Sequence, residues 1–155
     1  MVLDHLLELF EVLRQVSVVR IHHFGLAVGF GRQNRARGQA FEREVAKLLR
    51  AVWPDAERNI AQARTAKREG CDVEGTPWWV ECKSGRGIDW RSALEQAERD
   101  TDGRRCVVIG RERGKRVLMV CLRYLSPFGS RPCVRMTLGD WMLEAAGARP
   151  AEVLA

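Results

Sequence analysis

Near the start of the chain, Leu3, Leu6, Leu7, Phe10 and Leu13 recur at helical spacing, so residues 2–16 read as an amphipathic helix. VSVVRI then reads as a strand, and HHFGLAVGFG as a glycine-broken connector. A clearer helix follows in RGQAFEREVAKLLRAVW, where Phe41, Val45, Leu48, Leu49 and Val52 share one stripe and Pro54 stops the run. ERNIAQAR suggests a short strand and TAKREG a basic turn. The periodicity next changes to that of a hairpin, with arms DVEG and WWVECK and a turn at Gly75, Thr76 and Pro77. GIDWRSALEQAERDTDG returns to helical spacing, turning Ile88, Leu94 and Ala97 inward, and Gly103 ends it. RCVVIG and RVLMVCLRYL read as strands around RERGK, CVRMTL as a last strand and GDWMLEAAG as a closing helix. This order predicts an α/β domain with a mixed central sheet flanked by helices.

At 155 residues the chain is long enough for one domain with a real core, and 46% apolar with 30% charged residues is a globular composition. No apolar stretch reaches the roughly 18 residues that span a bilayer. The opening segment carries Asp4, Glu8 and Glu11 among its leucines, unlike a secretory leader, so the expected setting is the cytoplasm, without a membrane. The five cysteines stand singly with no CxxC pair, which argues against a zinc site and for buried, reduced thiols. Net charge is +6, and the stretch from Arg32 to Arg68 holds ten Arg or Lys against four acids. That stretch carries the whole excess and would attract a polyanion.

The hairpin GCDVEGTPWWVECKSG raises the question of chemistry. Side chains alternate along a strand, so Glu81 and Lys83 share one face and Cys82 takes the other. A two-residue Gly75-Thr76 turn sets Asp72 opposite Trp79, on the face of Glu81 and Lys83; a slip of one residue sends it to the opposite face. Converging carboxylates repel, and a hard divalent cation with oxygen ligands, magnesium or manganese, removes that cost. Beside such an ion, Lys83 can orient a water or stabilise phosphoryl charge. On the preceding helix, Glu42 and Glu44 flank the apolar stripe on either side, and spacing alone does not choose between them. Other chemistries have less to work with. All three histidines lie within the first 23 residues, Tyr124 has no histidine near it in sequence, and no GxxxxGK[ST] occurs.

The ordered set Glu42 helix, Asp72, then Glu81-Cys82-Lys83, resembles the D…(D/E)xK signature of the PD-(D/E)XK nuclease superfamily. RGQAFEREVAKLL is similar to the first helix of archaeal-type Holliday-junction resolvases, and that alignment selects Glu42 as the extra acid. Gln96 in ALEQAERD matches a glutamine common in the family on the helix after the lysine strand. Cys71 stands where the family's proline would be. The resemblance covers about Arg35 to Val120 and implies a restriction-endonuclease-like fold with a nuclease domain over 31–148, an extension over 1–30 and a tail over 149–155. It implies a magnesium-dependent DNA endonuclease, with manganese able to substitute. Glu42, Asp72, Glu81 and the Cys82 main-chain carbonyl would hold the ion, with Lys83 as catalytic cation and Gln96 beside it. Arg35, Arg37, Arg64, Lys67 and Arg68 are the expected phosphate contacts. Junction resolution would call for a homodimer, since two symmetric nicks need two sites. Of Trp78 and Trp79, one is expected in the core and the other over a helix or stacked on a base. Three rivals remain: a restriction- or repair-type enzyme of the same fold, a noncatalytic DNA-binding module, and a subunit whose basic surface binds protein or RNA.

Overall fold

The computed structural model describes residues 30–60, 70–124 and 131–147. Six strands lie in one sheet in chain order: β1 (Glu57–Arg58), β2 (Val73–Glu74), β3 (Trp78–Gly85), β4 (Arg105–Glu112), β5 (Met119–Arg123) and β6 (Cys133–Thr137). Only β3 and β4 run parallel, and the helix between them supplies the crossover that a parallel pair requires. The helices are α1 (Phe30–Leu49), α2 (Trp90–Asp100) and α3 (Leu138–Gly147). The mixed sheet flanked by helices expected from the pattern is therefore present.

Two apolar layers cover the sheet. On one face Phe41, Val45, Ala46 and Leu49 of α1 and Leu138, Trp141 and Met142 of α3 pack on Val73, Trp78, Val80, Val107, Ile109 and Val120. On the other, Trp90, Ala93, Leu94 and Ala97 of α2 meet Trp79, Cys106, Val108 and Cys121. Alternation along β3 explains the division, since Trp78 and Trp79 are each only 4% exposed yet belong to different layers. Trp78 is thus core and Trp79 packs against α2, as one of the two alternatives had it, and neither indole is available to stack on a base. Trp141 sits between Trp53 and Trp78, with ring centroids 5.5 and 5.4 Å away.

The boundaries differ from the pattern in instructive places. α1 starts at Phe30, not Arg37, because residues 34–37 are exposed and so carry no apolar stripe to announce a helix. α2 is shorter than its motif: Asp89 caps it by accepting the Ser92 N–H at 3.0 Å, which leaves Gly87 and Ile88 outside. β1 is only two residues long within a motif expected to run on toward Arg64. The expected helix over 2–16, the VSVVRI strand and most of the expected connector lie outside the described residues. None of the five cysteines is bridged; Cys71, Cys106 and Cys121 are buried as expected, whereas Cys82 is half-buried and Cys133 exposed. Among the described residues, no helix is long and apolar enough to cross a membrane.

Gly75 and Gly110 are both needed, for different reasons. Gly75 has φ +76°, and a Cβ there would collide with the Asp55 carbonyl, so the hairpin turn closes only on a bare backbone. A Cβ on Gly110 would come within 2.5 Å of the Trp90 ring, so α2 packs directly on the β4 main chain. Gly75→Ala should lower unfolding free energy by about 2 kcal/mol or more in urea titration. Gly85→Ala, where a Cβ meets open space, should stay within about 0.5 kcal/mol of the parent.

Candidate active site

The site begins where β2 stops. Its one pairing with β3 is Val73 with Val80, whereas β4 accompanies β3 all the way to Gly85. Among the described residues, the stretch from Glu81 onward is therefore paired on one side only. Asp72 fills the first vacancy: its N–H donates to the Val80 carbonyl at 2.8 Å, and its Oδ2 accepts the Cys82 N–H at 2.7 Å. A carboxylate oxygen here takes the place a neighbouring strand's carbonyl would have held. The Val73–Val80 register is shifted by two residues from that of a Gly75-Thr76 turn, because the connection is longer. Asp72 precedes β2, and Cys71 and Val73 on either side of it enter opposite layers, so its carboxylate lies at the strand edge, within reach of the charges of Glu81 and Lys83.

The remaining acids and cations are arranged around this point. Lys83 Nζ donates to Glu81 Oε1 at 2.7 Å on the face that bears α2. From α1, Glu42 Oε2 accepts from Arg58 Nε of β1 at 2.5 Å. Glu44 is bound differently, taking both Arg111 guanidinium nitrogens at 2.7 and 2.8 Å, with that guanidinium over the Phe41 ring. Glu44 thus ties α1 to β4, and Glu42 is the acid whose charge reaches the hairpin. Gln96 lines a cavity of about 320 Å³ together with Lys83, Gly85, Arg86, Asp89 and Ser92.

Electrostatics mark the same spot. Burial, followed by the charges of Glu81 and Glu42, pushes the Asp72 carboxyl up to about 7, against the Cys82 N–H and Lys83, which favour the anion. The Cys82 thiol is also pushed up, by burial and then by Asp72, Glu42 and Glu81. Three carboxylates therefore act on one another across this junction of α1, β2 and β3.

Not every expected site residue joins. Arg35 and Arg37 are exposed on the amino-terminal half of α1, while Arg64, Lys67 and Arg68 lie outside the described residues. Arg58 and Arg111 had no signal in the sequence: their partners are distant along the chain, and only the packing of α1 on the sheet brings them together. Among the described residues, no three His, Cys, Asp or Glu side chains converge closely enough to hold a metal ion as they stand. The donor chemistry nonetheless suits a hard divalent cation, since a mutually repelling carboxylate set with Asp72 raised to about 7 is what such an ion relieves. Comparison with known proteins returned no matching family model, curated protein or solved structure.

Because the folded Asp72 carboxyl titrates above its ordinary 3.8, its ionisation costs stability; the cost is absent below that value and complete above about 7. Asp72→Asn keeps an oxygen for the Cys82 N–H while removing the charge. In EDTA it should melt roughly 3–10 °C higher than the parent at about pH 8, with the gain vanishing near about pH 4. Equal melting at both values would show that ionising the buried Asp72 costs the fold nothing.

Proposed function

We propose that the chain is a magnesium-dependent DNA endonuclease with a restriction-endonuclease-like core, hydrolysing phosphodiester bonds, probed first on four-way junctions as a Holliday-junction-resolvase-like enzyme. The observation that carries this reading is the meeting of Asp72, Glu81 and Lys83 at the open edge of β3, with the charge of Glu42 acting on Asp72. It sits along the middle of β3, at the edge that the short β2 leaves open.

Asp72, Glu81 and Glu42, with the Cys82 carbonyl, would hold magnesium, or manganese in its place; such an ion lowers the pKa of water and offsets phosphoryl charge. Two of the three carboxylates would exchange a cation of the chain for the ion, Glu42 giving up Arg58 and Glu81 giving up Lys83. Lys83, once free of Glu81, points its ammonium at the attacking water or a phosphoryl oxygen, a contact worth about 3–4 kcal/mol in the transition state. Gln96 shares the cavity with Lys83 and can donate to the same phosphate. The unbridged thiols suit a reducing, cytoplasmic setting. A homodimer is part of the proposal, because paired nicks across a junction need two sites.

One observation favours a second reading. Glu42 and Glu81 are each satisfied by a cation of the chain itself, as in a DNA-binding module without catalysis. Incubation of four-way junction and linear duplex with and without magnesium separates the two. The endonuclease nicks DNA only with the ion, and preference for the junction over the duplex marks a resolvase over a restriction- or repair-type enzyme. Lys83→Ala should lower nicking at least about 100-fold with binding nearly intact. Binding with no nicking by the parent chain at any magnesium or manganese concentration would leave only the noncatalytic module.

A further inference from the structure

The basic residues expected to hold DNA all precede Asp72, but the topology gathers a second group at the carboxyl ends of β3 and β4. β3 ends at Gly85 and β4 at Glu112, side by side in a parallel pair, so the loop after one and the turn after the other emerge together. They are joined: the Arg113 N–H donates to the Gly85 carbonyl at 2.7 Å. The turn is closed by the Lys115 N–H on the Glu112 carbonyl at 2.9 Å, with Gly114 at φ +85°. A fixed arm results. It carries Arg113, Lys115 and Arg116, next to Arg86 on the adjoining loop, all of them exposed.

Among the described residues these four cations form no ion pair, while Arg58, Arg91, Arg104, Arg111 and Arg123 are each held by an acid. The acids nearest them in sequence are Asp89 and Glu112. Asp89 is occupied in capping α2 through Ser92, which leaves Glu112 as the one uncommitted negative charge of the group. Arg86 also lines the cavity that Lys83 and Gln96 share, so the group begins at the rim of the site, although Asp89 lines the same cavity and Glu81 pairs Lys83.

From this arrangement we infer a second phosphate-contacting surface, the Arg86 loop and the Arg113–Arg116 turn, which grips nucleic-acid backbone leaving the site past the carboxyl ends of β3 and β4. The inference rests on the nuclease reading and adds to it the path of the substrate. Four unpaired cations on a fixed loop and turn lose little side-chain partner energy on meeting phosphates, and each phosphate contact releases about one counterion.

The test is anisotropy titration of a fluorescein-labelled DNA duplex by the full chain in EDTA, from about 50 to 200 mM NaCl. The variant Lys115→Gln/Arg116→Gln should bind about tenfold or more weakly and flatten the slope of log K against log salt by about 2. Arg86→Gln alone should flatten it by about 1. A charge-matched control, Arg99→Gln/Arg131→Gln, alters exposed cations where α2 ends and before β6 begins, and should leave the slope unchanged. An unchanged slope in the turn variant, or an equal loss in the control, would overturn the second surface while leaving the endonuclease reading standing. Absence of salt-dependent binding by the parent chain would overturn both.

Discussion

The bond from the Cys82 N–H to the Asp72 carboxylate is the constraint around which the site is organised. An edge strand needs something to satisfy its main-chain donors, and here an acid side chain does so at the point where the neighbouring strand gives out. The same bond fixes the carboxylate beside Glu81 and buries it. Satisfying a backbone donor and assembling a cluster of negative charge are thus one event, and the charge of Asp72 is retained at a cost to the fold. Proteins commonly keep such costs where ligands bind.

The two sides of the sheet have separate duties. The layer under α1 and α3 is the larger and contains the tryptophan cluster, so it carries most of the apolar burial. The layer under α2 is smaller, and it brings Gln96 over the same face of β3 that bears Glu81 and Lys83. Glu42 arrives from the opposite layer around the open edge. That a helix from one side and a helix from the other can reach a single point depends on the shortness of β2.

Much of this was legible in the chain. Strand alternation gave the shared face of Glu81 and Lys83, and the apolar stripe of α1 gave Phe41, Val45 and Leu49 as core. The nearness of Asp72 to Glu81 also followed, although the carboxylate sits at the strand edge in a register two residues away from that of a Gly75-Thr76 turn. What could not be read depends on contacts between distant segments. Glu42 and Glu44 look alike along the helix, and only their separate arginines, Arg58 and Arg111, distinguish them. The packing of one tryptophan against a helix was also legible, but not that it would be buried as deeply as its neighbour, which follows because both faces of the sheet are covered. The grouping of Arg86 with the Arg113–Arg116 turn follows from parallel pairing of β3 and β4, which local pattern does not specify.

The stacking of Trp141 against Trp53 and Trp78 has a bearing on how the chain acquires its shape. Those rings come from the end of the first helix region, the middle hairpin and the closing helix, so the keystone of the main layer joins segments far apart along the chain. Loop-closure entropy must be met before that contact repays it, which makes assembly late and non-local. A chain still lacking its closing helix would hold the hairpin against a half-built layer.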